Sequence, residues 1–407
     1  MELNEVCDLI IDCEHKTAPI QETGYPSIRT PNIGQGRFIL EGVNRVSEET
    51  YQLWTRRAVP QPGDLIMARE APVGNVAMIP HGLKPCLGQR TLLIRPNHSK
   101  VEPSFLNYFL NGPHVQGLIQ AKTNGATVAH LNMKDVRTMP LPELPSLPVQ
   151  RRIAGILSAY DELIENSQRR IKILESMARS LYREWFIQFR FPGHEHHPRV
   201  PSPLGDIPKG WGVGRLETIC EKINSGGTPR TSANEYWGGG IPWLSSGETG
   251  NAFIIETDKT ITDEGVSNSS TRFARSGCTV VASAGQGKTR GQTSMLCLDC
   301  YINQSTIALT ADAKQISDNF LFFELSGRYG QLRQISDGSS RGSLTTRLLA
   351  DLEVIVPSAS LVHEFDALVA PIVKSIEIGL RRNKNLRRTR DLLLPRLLSG
   401  QIELEAS

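Results

Sequence analysis

Several stretches of this chain bring together side chains that could do chemistry. Ala282-Ser283-Ala284-Gly285-Gln286-Gly287-Lys288-Thr289 satisfies a relaxed phosphate-binding loop pattern, with alanine in place of the first glycine. Such a loop works when a helix starts at the Lys-Thr pair and aims its amides and dipole at phosphate. Here Arg290-Gly291-Gln292-Thr293 and the apolar run Met295–Leu298 follow. That order predicts a hairpin loop between strands, so nucleotide hydrolysis is not expected. Cys297-x-x-Cys300, with Cys278 upstream, is half of a zinc pattern without its second pair, and structural thiols are the expectation. His194-Glu195-His196-His197 follows Phe191-Pro192-Gly193 in a proline-rich connector without a carboxylate cage, as a solvated linker would. Glu14-His15-Lys16 resembles the end of a nuclease Glu-x-Lys motif but lacks the aspartate that belongs well upstream of it. No Asn-Pro-Pro-aromatic or Asp-Pro-Pro-aromatic tetrapeptide of amino-methyltransferases occurs. The expectation is a non-catalytic chain with no metal and no cofactor of its own.

The elements that must position any site are those of a duplication. Leu3-Asn4-Glu5-Val6-Cys7 lines up with Leu216-Glu217-Thr218-Ile219-Cys220, and Tyr25-Pro26-Ser27-Ile28 with Ile241-Pro242-Trp243-Leu244. Gly63–Ala68 and Gly277–Ala282 each read as a glycine opening a short apolar strand. Gly88-Gln89-Arg90-Thr91-Leu92 matches Asn303-Gln304-Ser305-Thr306-Ile307, and the short helical stretches Phe105–Leu110 and Phe320–Leu325 correspond. Each copy continues with a Gly-rich polar loop, Asn124–Thr127 or Asp337–Ser340, and a strand ending in Leu141-Pro142 or Val356-Pro357. The offsets stay within 212 to 216 residues, a colinearity that chance does not supply. The first copy has Arg69-Glu70-Ala71-Pro72-Val73-Gly74-Asn75 where the second has the phosphate-loop match, which again favours a plain loop.

After each copy the apolar period becomes helical. Over roughly 148–188, Leu157, Ile164, Ile171, Ala178 and Trp185 recur every seven residues, with Tyr160, Ser167, Leu174 and Leu181 between them. Over roughly 361–398 the seam is Phe365, Ile372, Gly379, Leu386 and Leu393, with Val369, Ile376, Asn383, Arg390 and Leu397 between them. Gly379, Asn383 and Arg390 weaken that second seam, and Pro371 and Pro395 threaten kinks. A helix of about 40 residues spans about 60 Å, more than a module of this size requires for its own packing. The fold expected is α+β: two mixed α/β modules separated by two long helices that form an antiparallel coiled coil, with pseudo-twofold repetition. Duplex DNA has the same local twofold symmetry, so two unlike modules would read two different half-sites across an unread spacer, the helices serving as ruler.

Composition neither demands nor forbids that reading. The 407 residues, 39% apolar and 21% charged, suit globular domains, and a net charge of +3 is too small to announce nucleic-acid binding. Seven scattered cysteines suit a reducing compartment, and no signal-peptide pattern or membrane span is present, so a cytoplasmic protein is expected. Base reading needs Arg, Lys, Asn and Gln side chains at groove edges, with basic groups and amides on phosphates. Loops beside strand ends are the natural carriers. The candidates are Arg29, Arg69, Gln89, Arg90 and Lys134 in the first copy. In the second they are Arg230, Ser246, Lys288, Arg290, Gln304, Arg341 and Arg347. The basic run Arg381–Arg388 lies on a helix, where it would face DNA phosphates or acidic groups of a partner.

The sequence resembles the specificity subunits of type I restriction-modification systems over its whole length. The resemblance is carried by Ser180-Leu181-Tyr182-Arg183-Glu184-Trp185-Phe186 running into Phe189-Arg190-Phe191-Pro192-Gly193, and by Leu393-Leu394-Pro395-Arg396-Leu397-Leu398-Ser399-Gly400. It is also carried by Ile207-Pro208-Lys209-Gly210-Trp211 followed by Gly226-Gly227-Thr228-Pro229-Arg230. The first copy shows only Lys16-Thr17-Ala18-Pro19 of that opening. The resemblance implies target-recognition domains at 1–145 and 207–357, conserved helical regions at 146–190 and 358–400, and a linker at 191–206. It implies double-stranded DNA as ligand and two modification subunits as partners, which methylate adenine with S-adenosylmethionine. An optional pair of restriction subunits would use ATP, and no membrane is involved. Methylase contacts would fall on the helices and the flanking module faces. Two other readings compete: a two-headed coiled-coil scaffold that binds protein, and a phosphate-loop ATPase.

Overall fold

Alternate residues of each central strand point into two different cores, and this is what fixes both modules. In the computed structural model, which describes all residues except 124–129, 286, 339–341, 403 and 405–407, the chain forms two compact units. One comprises Met1–Glu165 with Asn385–Ser407, the other Asn166–Lys384. In the first unit, the strands Cys7–Asp12, Thr91–Pro96, Leu65–Ala68 and Val76–Met78 lie side by side in that order, all antiparallel. Leu65 and Met67 join Leu92, Ile94 and Phe105 in one core, while Ile66 and Ala68 join Ile28, Ala77 and Leu93 in the other. Burial on both faces explains why Leu65-Ile66-Met67-Ala68 reads as a continuous apolar run. A smaller sheet pairs Ser27 and Ile28 in parallel with Cys86 and Leu87.

The second unit repeats this plan. Cys220–Ser225, Thr306–Ala311, Thr279–Ala282 and Thr293–Leu296 are ordered alike, with Phe253–Ile254 added at the edge. Val281 faces the core of Ile307, Leu309 and Phe320, and Val280 that of Leu244, Ile302 and Ala308. As Ser27 and Ile28 do in the first unit, Trp243 and Leu244 pair in parallel with Tyr301 and Ile302. The helices Pro103–Leu110 and Asp318–Ser326 fall where the sequence placed them. One expectation fails. A strand Glu353–Val356 pairs with Gly212–Arg215, but its counterpart ending at Leu141-Pro142 is reduced to an isolated bridge between Glu2 and Pro140. Pro140 and Pro142 have no N–H to give, and a ladder cannot continue through them.

The long helices run Leu147–Tyr182, continued by a π-helical turn Arg183–Ile187, and Ala359–Leu398. The second passes unbroken through Pro371 and Pro395. Within the second unit the two are antiparallel. Ile171 lies against Gly379, while the rings of Tyr182 and Trp185 meet Phe365 at 5.9 and 6.0 Å. One of the weak seam residues has a use there. A Cβ on Gly379 would sit 3.0 Å from Ile171 Cγ1, so the glycine makes room for a knob, and Asn383 is buried. Within the first unit Arg390 meets Asp161 at 2.5 Å, and the Tyr108 hydroxyl donates to the same carboxylate at 2.6 Å. Among the described residues no helix is long and apolar enough to cross a membrane.

Candidate nucleic-acid interface

At one end of each large sheet the strands open into loops that are hydrogen-bonded to one another. In the first unit the Arg69 N–H donates to the Arg90 carbonyl at 2.8 Å, and the Leu131 N–H donates to the Arg69 carbonyl at 3.0 Å. In the second the Ser283 N–H donates to the Ser305 carbonyl at 2.9 Å, and the Leu344 N–H to the Ser283 carbonyl at 2.8 Å. The repeat therefore reaches into the loops, where Ser283 stands in the place of Arg69. Backbone is common to both copies and side chains differ, the arrangement of a scaffold carrying variable recognition.

In the first unit the side chains form one network around Arg69. Its Nη1 lies 2.5 Å from Asp12 Oδ2, its Nε donates to the Leu131 carbonyl at 2.9 Å, and its Nη2 is 2.9 Å from His130 Nε2. Arg69, one of the expected DNA contacts, turns inward: the guanidinium is buried and all its nitrogens hold protein groups. Arg90, by contrast, is exposed and pairs with Glu70 Oε2 at 2.8 Å. Glu70 Oε1 is 3.1 Å from His130 Nδ1, which closes the network. Gln89 Nε2 donates to the His15 carbonyl at 3.1 Å, and exposed Arg29 packs against Gly88, where a Cβ would fall 2.6 Å from Arg29 Cγ. Arg29, Gln89 and Arg90 are thus brought together. Lys134 is exposed on the helix Met133–Arg137.

In the second unit the Thr228 hydroxyl donates to Gln304 Oε1, tying the Gly226–Arg230 loop to the turn before Thr306. Gly226 has no space for a side chain, since a Cβ would lie 1.8 Å from the Ile302 carbonyl oxygen. This close approach lays the loop on the strand and leaves Arg230 exposed beyond it. Ser246 is half-buried at the start of the turn Ser246–Gly250, its carbonyl accepting from Thr249 Oγ1 at 2.7 Å. Lys288 is exposed at a hairpin tip that two residues of the helix Tyr329–Asp337 hold. The Tyr329 hydroxyl donates to the Lys288 carbonyl at 2.8 Å, and Arg333 Nη1 donates to the Gly287 carbonyl at 2.6 Å. Arg290 also turns inward. Its side chain is 15% exposed, donates to the Gly342 carbonyl and pairs with Asp337, so it fastens the loop it was expected to arm. Arg347 is exposed on the helix Thr346–Ala350 with acidic partners, Asp351 at 2.6 Å and Glu217 at 3.8 Å. Arg341 lies outside the described residues, as do the 124–127 loop and residues 339–340.

Sequence reasoning missed His15, Glu70 and His130 in the first cluster and Thr228, Tyr329 and Arg333 in the second. Glu70 carries the wrong charge for a contact to DNA phosphates. Tyr329 and Arg333 have no counterparts, the residues 215 positions earlier being His114 and Leu118. The competing motifs resolve as follows. Strands Thr279–Ala282 and Thr293–Leu296 pair antiparallel, so Ala282–Thr289 belongs to a hairpin and no helix begins at Lys288. Cys278, Cys297 and Cys300 are free buried thiols, and among the described residues no grouping of three metal-ligating side chains includes them. Among the described residues the one grouping with metal-ligand spacing is Asp12, Cys13 and His15, and there Asp12 already faces the Arg69 cation.

Comparison with known proteins agrees with this arrangement. The sequence model described as "Type I restriction modification DNA specificity domain" matches residues 1–176 and again 208–364. The Type I restriction enzyme MjaIX specificity subunit of Methanocaldococcus jannaschii is 23% identical, over 90% of this chain and 84% of its own length. The Type I restriction enzyme HindI specificity subunit of Haemophilus influenzae is 24% identical, over 76% of this chain and 80% of its own. Among solved structures, the S subunit of a type I restriction-modification system from M. genitalium superposes with a TM-score of 0.67 at 15% identity, covering 98% of this chain and 95% of that one.

Proposed function

Because the chain belongs to the family of type I restriction modification DNA specificity domains, we propose that it is the non-catalytic subunit that reads DNA sequence for such a complex. It reads an asymmetric site in two parts, one half-site for each module. Residues 1–145 and 207–357 are the target-recognition domains, and the helical regions 146–190 and 358–400 with their flanking surfaces dock two modification subunits. S-adenosylmethionine belongs to those subunits, which methylate adenine, and ATP to restriction subunits where a system has them. The chain acts in the cytoplasm, where the DNA is.

The observation that carries this reading is the loop cluster at the same end of both repeated sheets, built on equivalent backbone bonds but with different side chains. Arg29, Gln89 and Arg90 in the first cluster, and Arg230, Ser246, Lys288 and Gln304 in the second, are the proposed contacts. Lys134 and Arg347 remain proposed outer contacts that steady phosphates, and Arg341, outside the described residues, remains a proposed contact. No observation favours a protein-binding scaffold over this. The test is binding of duplex DNA by the complex assembled with its modification subunits. Affinity should fall about a thousand-fold between ~50 and ~200 mM salt, as phosphate contacts displace counterions. Binding that ignores salt would contradict the proposal.

A further inference from the structure

Among the described residues, Arg90 and Phe189 are the non-glycine residues with positive φ, and Arg90, at +65°, lies in the first loop cluster. An L residue holds this conformation only where its surroundings dictate it, and such residues gather at functional sites. The surroundings here are specific. The Arg90 carbonyl accepts from the Arg69 N–H at 2.8 Å, the Gly88 N–H donates to the Ile28 carbonyl at 2.8 Å, and Thr91 Oγ1 donates to the Gly88 carbonyl at 2.8 Å. Beyond this rigid turn the Arg90 side chain is 64% exposed, and one nitrogen, Nη1, is held by Glu70 Oε2 at 2.8 Å. Glu70 is in turn fixed by His130, and His130 by buried Arg69. A guanidinium carries five N–H donors, so the Glu70 contact leaves others facing outward in a fixed plane.

We propose that Arg90 is a specificity-determining residue that reads a guanine in the first half-site, with Glu70 as the residue that positions it. This deepens the DNA-reading function proposed above and rests on it. The carboxylate decides between the two roles open to an exposed arginine at a DNA surface. A phosphate contact would bring a second anion to within a few ångströms of Glu70, where like charges repel. A base edge is neutral. The acceptors that suit two parallel N–H groups are guanine N7 and O6 in the major groove, the commonest specific contact that arginine makes. The second unit has Ser305 at the equivalent position, so this contact belongs to one half-site alone. A simple surface ion pair would need neither the left-handed turn nor the buried chain of support behind it.

The experiment maps methylated adenines in DNA modified by the complete complex of this chain with its modification subunits. Wild type is expected to give a two-part motif with an obligatory guanine in one half-site. Arg90→Ala and Arg90→Lys should each relax that position by about ten- to hundred-fold, leaving the other half-site unchanged. Glu70→Gln should weaken discrimination at the same position only. Arg90→Gly supplies the control for folding: glycine accepts the left-handed backbone, so this variant should melt no lower than wild type while losing discrimination. A motif unaltered in Arg90→Ala would overturn the proposal while leaving the function standing. A wild-type complex that methylates no two-part motif would overturn both.

Discussion

Arg69 and Arg290 show how little an arginine's place in a loop says about its use. Both lie beside the hairpin that ends the central strands, and both turn inward, Arg69 to Asp12 and the Leu131 carbonyl, Arg290 to Asp337 and the Gly342 carbonyl. They hold corresponding loops from opposite sides of the hairpin. Breaking a buried pair leaves an uncompensated charge, so Arg69→Ala should destabilise the chain by about 3 kcal/mol in denaturant unfolding. Lys288→Ala should cost under about 0.5 kcal/mol in the same measurement, yet lower the salt slope of DNA binding by about one. Equal losses of stability for the two would contradict these assignments. The loops at the strand ends were legible in both copies, because glycine and polar residues mark them. It could not separate inward from outward side chains. That choice depends on Asp12, His130, Asp337 and Gly342, which are distant in sequence from the arginines they engage.

At the scale of elements, the repeat and the two helices were readable because period and spacing survive without any knowledge of contacts. What was read as weakness in the second helix proved to be fit. Gly379 receives Ile171, Arg390 has Asp161 and Tyr108 beside it, and Pro371 and Pro395 leave the helix continuous. Heptad counting scores each helix alone, and a gap on one is meaningful only against the knob on the other. Gly379→Leu should therefore destabilise the protein by about 2 kcal/mol through overpacking. Adding Ile171→Ala should recover more than about 0.5 kcal/mol of that loss in a double-mutant cycle, and strictly additive effects would show that the two residues do not meet. The failed strand at Leu141-Pro142 has the opposite lesson: the repeat suggested it, and local proline chemistry overruled the repeat.

For the whole molecule, the duplication is the fact from which function follows. Each copy keeps the same backbone bonds between its loops and changes the groups those loops carry, an arginine, histidine and carboxylate network in one and threonine, glutamine and lysine in the other. Two such copies are two readers with separate vocabularies. The measurement that tests this most directly replaces residues 1–145 with the corresponding module of another specificity subunit and maps methylated adenines in cells that carry the hybrid with its modification subunits. One half of the two-part motif should change while the other persists. A motif left unchanged, or altered in both halves, would contradict the assignment of one half-site to each copy.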